Sequence, residues 1–211
     1  LMGVPTSDVC VGYSTCGAQQ GIICGYGDGT FRPTGSLTGN AFLKMLLGAL
    51  GYDSSIEGYT GSNWQVNVTK QAVGIGLNKG NDEFVGSKTV TRQEACLYAF
   101  NMLQADMVQY DSKTTVDING ATVTIAGDKA KAVSTANGWV GTNDGNIDRD
   151  GVQQFAEKYF DKLTLKDDGS DSFSRPSNVW RCKGEKIGTY AKTPNVTYSK
   201  NVELGDIYKD L

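Results

Sequence analysis

Two stretches of this chain match without a gap when one is shifted by 53 positions, and any fold must accommodate both. Gly21, Ile22, Gly27, Phe31, Leu37, Thr38 and Leu50 fall on Gly74, Ile75, Gly80, Phe84, Val90, Thr91 and Leu103. Seven matches at one offset, spread over a whole supersecondary unit, mark an internal repeat, and a repeat constrains architecture more than any local propensity. In the first copy Gly25, Gly27 and Gly29 punctuate a tight turn. Asp28-Gly29 is a strong turn dipeptide, since glycine accepts positive φ and aspartate bonds its own backbone. Phe31 follows as an apolar anchor, and Pro33 stops any regular element.

The spacing predicts a helix over Thr38–Leu50, with Phe42, Met45, Leu46, Ala49 and Leu50 at helical intervals and Gly51 at the C-terminal glycine position. A weaker helix is expected over Ser7–Gln20, interrupted by Gly12 and Gly17. Another is expected over Trp64–Gly76, with Trp64, Val68, Ala72 and Ile75 about one turn apart. Each unit therefore reads as helix, glycine turn, short extended segment, helix. Thr91-Arg92-Gln93-Glu94 is a capping box, in which the threonine hydroxyl bonds the N–H three residues on and the glutamate reaches back. The first copy keeps Thr38 but has lost the glutamate, so its cap must rely on packing.

After about Tyr110 the character changes. Residues 1–110 hold 6 basic and 8 acidic side chains, whereas residues 111–211 hold 14 and 15. We expect two units, 1–110 with repeats at about 8–51 and 64–105, and 111–211 as a small module. Thr114–Ile125 alternates around Asn119-Gly120, a hairpin signal. Val152–Leu165 reads as an amphipathic helix with Phe155, Tyr159, Leu163 and Phe160 on its apolar side. Trp180–Tyr190 reads as a second hairpin turning at Gly184-Glu185, Val196–Val202 as a strand and Glu203–Leu211 as a short helix. The fold class is α+β.

Composition excludes several chemistries. The chain has no histidine, which removes Ser-His-Asp and Cys-His mechanisms and imidazole zinc sites. Net charge is −3 with no basic cluster, which argues against nucleic acid or an anionic membrane as partner. No stretch approaches the roughly 18 to 20 apolar residues of a membrane span. The five cysteines contain no Cys-x-x-Cys pair, and a Cys10–Cys16 or Cys16–Cys24 bridge is left open. The glycine turn lacks the spacing and lysine of phosphate-binding loops. Thr142–Asp150 has Gly145 and Ile147 two apart as in a calcium loop, but that register puts Val140 at the first ligand and Gly151 at the closing glutamate. It reads as a solvated turn. No metal, cofactor or nucleophile–base pair is expected, with Asp144, Asp148 and Asp150 left as the acidic residues of an enzyme alternative.

Gly21-Ile22-Ile23, the string Gly25-Tyr26-Gly27-Asp28-Gly29-Thr30-Phe31-Arg32-Pro33, Leu37-Thr38 and Val90-Thr91-Arg92-Gln93-Glu94-Ala95 resemble the S-layer homology family of bacterial surface proteins. The resemblance covers roughly residues 8–105. It implies a helical repeat fold, an extracellular location at the bacterial surface, and non-covalent attachment to cell-wall polysaccharide, often pyruvylated. The family commonly arranges three repeats as a spindle with glycan grooves between its prongs. Here two copies are clear. Gly141–Leu163 shares an Asp-Gly turn before a helix but lacks the cap and is not counted as a third, and the second copy carries Asn81-Asp82-Glu83 for the Gly-Asp-Gly turn.

For the glycan-binding residues we single out Arg92, Trp64, Asp28 and Gly29. An arginine at a helix N-terminus concentrates donors where a sugar carboxylate would sit, and tryptophan offers a flat face to a sugar ring. The plainer readings stand beside these: Arg92 as a solvated arginine, Trp64 as a core anchor. Gly25, Gly27, Asp28 and Gly29 read first as turn geometry, and Thr38, Thr91 and Glu94 as caps. The leading expectation is a non-catalytic surface protein held to wall polymer. The alternative is a structural protomer of a surface layer or filament that self-associates through protein contacts. The opening residues Leu1–Val9 read as interior sequence, so a piece of a longer chain is expected.

Overall fold

A computed structural model describes residues 10–19, 22–23, 25, 30–111, 114–118, 121–125, 129–192, 201 and 203–209. The chain runs α1 (Cys10–Gln19), α2 (Gly39–Leu50), α3 (Trp64–Gly74), α4 (Arg92–Met102), β1 (Val108–Gln109), β2 (Thr114–Ile118), β3 (Ala121–Ile125) and β4 (Lys131–Ala132). A 3-10 turn (Thr135–Asn137), α5 (Phe155–Tyr159), β5 (Leu163–Ser170), β6 (Pro176–Cys182), β7 (Glu185–Ala191) and α6 (Leu204–Ile207) complete it. The mixture is α+β, with helices followed by antiparallel sheets.

Helix α2 starts where Thr38, in extended conformation, accepts from the Ala41 N–H, and stops at Gly51 with φ 105°. A Cβ at Gly51 would stand 2.4 Å from the Val108 carbonyl oxygen, so this glycine meets both a left-handed backbone and a close approach. The buried stripe of α2 is Leu43, Leu46, Leu47 and Leu50; of the expected Phe42, Met45, Leu46, Ala49 and Leu50, Leu46 and Leu50 lie in it and Phe42 and Ala49 pack at its margin. Almost every residue from Ala41 to Leu50 is apolar, so periodicity alone could not choose the face. Burying a leucine contributes about 1.5–3 kcal/mol, and four on one stripe make α2 the centre of the core. Val68 and Ala72 of α3, Tyr98 and Met102 of α4, and Tyr59, Leu77 and Met107 close around it, with Trp64 and Ile75 packed at the margin as expected.

Helix α4 is buried on two sides. Tyr98 and Met102 face the first core, while Phe100 and Leu103 face a second cluster of Ile147, Ala156 and Trp180. Phe100 lies edge-on to Trp180 and to Tyr190, each at 5.7 Å. Contacts therefore cross Tyr110: β1 pairs with β4, and the Tyr190 hydroxyl donates to Gln104 Oε1 at 3.4 Å.

The two copies meet through the N-terminus of α2. Thr38 bridges Thr89, Val90 N–H donates to the Leu37 carbonyl at 2.9 Å, and the Gly39 and Asn40 N–H groups donate to the Lys88 and Gly86 carbonyls at 2.9 and 2.8 Å. These are helix-start donors with no partner inside their own helix. Helix α5 repeats the arrangement. Gln154 bridges Asp106, Met107 N–H donates to the Gln153 carbonyl at 2.8 Å, and the Phe155 and Ala156 N–H groups donate to the Ala105 and Leu103 carbonyls at 2.9 and 3.0 Å. A shift of 116 places Gly25, Asp28, Gly29, Gly35 and Thr38 on Gly141, Asp144, Gly145, Gly151 and Gln154. The Gly141–Leu163 stretch is thus not without a cap: Gln154 stands at the threonine position, and Glu157 Oε2 accepts its backbone N–H at 3.4 Å.

Other expectations need correction. The Val152–Leu165 helix is only Phe155–Tyr159. Its start is held extended by Gln153 N–H bonding the Val133 carbonyl, and its end is taken by β5, where Leu163 pairs with Cys182. Tyr159 and Phe160 are consequently exposed, at 53% and 47%, while Ala156 is buried. The second hairpin turns at Lys183-Gly184, both at positive φ, with Cys182 opposite Glu185. That is a two-residue turn one position earlier than expected. Strands β2 and β3 pair as predicted, with Ile118 opposite Ala121. Helix α3 ends at Gly74, two residues before the expected Gly76, and both ends of the expected Ser7–Gln20 helix lie outside the described residues. Cys16, Cys96 and Cys182 are free, so no bridge forms through Cys16. The expected strand at Val196–Val202 falls almost wholly outside the described residues.

The junction of the copies leaves no room. A Cβ on Gly86 would lie 1.9 Å from Asn40 Oδ1, which also accepts from Thr69 Oγ1 at 2.8 Å. Gly86→Ala should destabilise the chain by about 1–3 kcal/mol, as overpacking does, measured by urea unfolding. Gly12→Ala in α1, where nothing lies within 4 Å, should be neutral or stabilising.

Candidate functional site

At the second glycine turn the chain forms a groove of about 230 Å³. Asn81 and Glu83 of the turn, Phe84, and Thr91, Glu94 and Tyr98 of the cap and helix α4 make its wall, and Gly39 of α2 closes one side. The helix cap holds the turn in place. Glu94 Oε2 accepts from the Thr91 N–H and hydroxyl, both at 2.8 Å, and Thr91 Oγ1 accepts from the Glu94 N–H at 3.2 Å. Glu94 Oε1 takes the Asn81 amide at 3.2 Å, and the same amide donates to the Tyr98 hydroxyl at 2.7 Å. Asn81 Oδ1 in turn accepts from the Glu83 N–H at 3.2 Å, an Asx turn. Phe84 stands edge-on to Tyr98 at 5.8 Å.

The bonds from the Thr91 backbone and then its hydroxyl hold the Glu94 carboxyl below its ordinary value. Burial holds the Tyr98 phenol above its own, against the Asn81 bond. Thr91 and Glu94 are thus caps, as read from the sequence, and they also shape a groove. Asn81 and Tyr98 were missed. The signals were there: Asn81 falls on Asp28 at the 53-residue shift, and Tyr98 follows Glu94 by one turn.

Arg92, the first residue of α4, follows the groove residue Thr91 without itself lining the groove; it is exposed, and among the described residues its guanidinium has no partner. Trp64 is elsewhere. It begins α3, packs at the margin of the main core and carries the Lys44 ammonium 5.6 Å from its ring centre. Thr38 caps α2 next to Gly39. Gly25 is exposed, and a Cβ there would meet the Thr30 carbonyl oxygen at 2.7 Å, a close approach that fits its turn role. Gly27, Asp28 and Gly29 lie outside the described residues.

Residues 17–42, which end in the Thr38 cap and the first turn of α2, match the family model of the S-layer homology domain. Over this stretch the chain is similar to an S-layer homology domain. No curated protein and no solved structure matches the chain. S-layer homology domains in general bind cell-wall polysaccharide and are not catalytic modules, and the matched stretch indicates association with the cell surface or wall. Among the described residues no helix is long and apolar enough to cross a membrane, and no group of three or more acidic, cysteine or histidine residues is placed to hold a metal ion.

The acidic loop before α5 is tied to its own backbone. Asp144 Oδ1 accepts from the Gly151 N–H at 3.2 Å, and Asp150 Oδ1 accepts from the Val152 N–H at 2.8 Å. Desolvation, and then the charge of Asp150, push the Asp148 carboxyl up to about 6. A carboxyl raised in the folded state binds more protons there than when unfolded, so its contribution to stability falls as pH rises toward 6. Asp148→Asn should therefore raise the melting temperature at pH 7 and leave it little changed near pH 3.5.

The Thr91–Glu94 cap has the opposite sign. Glu94 contributes fully at neutral pH and its contribution is lost as pH falls below about 4.5. Thr91→Ala should cost about 1 kcal/mol at pH 7. Glu94→Gln should flatten the acid limb of a stability–pH curve measured by thermal unfolding.

Proposed function

We propose that this chain holds a protein to the polysaccharide of a bacterial cell wall through the groove at the Thr91–Glu94 cap, with Arg92 as its principal cation. The observation that carries this reading is the free guanidinium of Arg92 at the first position of α4, beside a preformed groove and linked by the sequence repeat to the S-layer homology stretch. The N-terminus of an 11-residue helix adds partial positive charge from its unbonded N–H groups. A sugar acid, such as a pyruvyl ketal, is the ligand group this field favours. Lys88 on the groove wall supplies a second cation. Trp64 is the weaker part of the proposal, since its ring packs at the core margin and the Lys44 ammonium sits over it. Asp28 and Gly29 would act through the turn, as Asn81 does in the second copy. The matching backbone docking of α2 and α5 supports a three-unit arrangement, with the third unit, around α5, drawn from residues 111–211.

A second reading has its own observation. Tyr159 and Phe160 stand exposed next to Phe155, whose ring is 4.7 Å from that of Tyr159. An exposed aromatic surface of this kind suits protein contacts in a layer or filament. Both readings describe a protein without catalytic function.

The deciding experiment is co-sedimentation with purified cell walls, before and after acid stripping of the secondary polymer. Binding should vanish on stripping and fall about tenfold for Arg92→Ala, the loss expected of one charge-assisted contact. Wall binding unchanged by Arg92→Ala would refute the groove assignment. Multimers by light scattering that dissolve in Phe160→Ser, with no wall binding, would favour the layer reading.

A further inference from the structure

A cavity of about 810 Å³ lies away from the cap groove, between the loop after α2, the end of α3, the turn leaving α4 and the segment at Lys129–Ala132. Its volume falls within the roughly 300–1,000 Å³ of small-molecule sites. It shares no lining residue with the cap groove and contains neither Arg92 nor Trp64.

The polar groups of the cavity are already oriented. Gln71 Nε2 donates to the Tyr52 hydroxyl at 3.0 Å, which leaves the phenol proton to be given to something else. Burial keeps that phenol protonated well above its ordinary range. Glu57 Oε1 accepts from the Tyr110 hydroxyl at 2.7 Å, which fixes the carboxylate. Gln104 Oε1 accepts from the Tyr190 hydroxyl, so its amide N–H groups remain as donors. Asp106 is held by the Gln154 amide at 3.5 Å. Ile56, Ile75 and Val108 supply apolar wall between these groups.

Such alternation of fixed donors, fixed acceptors and apolar surface matches a ligand dense in hydroxyl groups. Charge then narrows the class. Two carboxylates, Glu57 and Asp106, face one ammonium, Lys129. An acidic sugar would be repelled here, and a cation beside Asp106 would offset both the desolvation of its carboxyl and the charge of Asp150 nearby.

We propose that this cavity is a second saccharide site, built for a sugar that carries a free amine, with Glu57 and Asp106 receiving the ammonium and Tyr52 and Gln104 bonding hydroxyls. The saccharide class rests on the wall-polymer reading above, whereas the charge preference rests on the cavity. The two sites thus divide one polymer by charge, the cap groove taking acidic groups and the cavity taking amino sugars.

Calorimetric titration of the whole chain with the β-1,4-linked glucosamine disaccharide tests this. Its N-acetylated form, a galacturonic acid disaccharide and n-butylamine serve as comparisons. The amine disaccharide should bind at least about tenfold more tightly than any of the three. Glu57→Gln and Asp106→Asn should each weaken it about tenfold, with no loss of melting temperature, and Arg92→Ala should leave it unaffected. Equal binding of the N-acetylated disaccharide would overturn the charge assignment, and equal binding of n-butylamine the saccharide assignment. No binding of the amine disaccharide, or full binding by both carboxamide variants, would remove the site. Because Arg92→Ala tests wall retention separately, failure of either site is readable without the other.

Discussion

The structure depends on helix starts whose N–H groups are bonded by the neighbouring unit. An α-helix leaves its first donors without partners, and burying one unbonded costs about 1–3 kcal/mol. Here Gly39 and Asn40 of α2 find the Lys88 and Gly86 carbonyls, and Phe155 and Ala156 of α5 find those of Ala105 and Leu103. Neither helix can be completed without the segment it docks on. That links units distant in sequence more tightly than their apolar contacts alone would.

The same constraint explains why the caps diverged. In α4 no segment docks on the N-terminus among the described residues; Thr91 and Glu94 satisfy it with side chains and Arg92 stays in solvent. In α2 the corresponding position faces Phe84 at 3.0 Å from where a Cβ would stand, which suits glycine and excludes an arginine. The absence of an arginine from this position of the first copy follows from that close packing, and in the second copy Arg92 stays exposed next to the groove residue Thr91. In α5 the docked start coexists with a glutamate at the third helical position. Glu157 is fully buried, with a carboxyl raised by desolvation, and accepts from the Ile147 N–H at 3.1 Å.

Much of this was legible in the residues. The 53-residue shift located α2, α3 and α4, because glycine turns and threonine caps act locally and each carries its own geometry. Asn119-Gly120 placed a hairpin whose strands pair as expected. Where the reading failed, a distant partner had intervened. Leu163 and Leu165 have helical spacing from Phe155, yet β6 offers them backbone partners and takes them into a sheet. Gln154 looked unlike a cap because threonine was the pattern sought, and only the position of Asp106 and Leu103 shows that it holds the same place. The buried face of α2 was read only in part, with Leu46 and Leu50 foreseen and Leu43 and Leu47 not, because a helix apolar nearly all round has no preferred side until something packs on it.

Of the site, the sequence by itself determined the Thr91–Glu94 box and the exposure of Arg92, since both follow from bonds within a single turn of helix. It also excluded histidine chemistry outright. Tertiary structure alone decided that Asn81 and Tyr98 join that box, that Trp64 packs at the core margin, and that Glu57, Gln71, Asp106 and Tyr52 line one cavity. These cavity residues come from three separate segments. Their meeting is set by how helices dock and which carbonyls they reach, and that is information no local pattern contains.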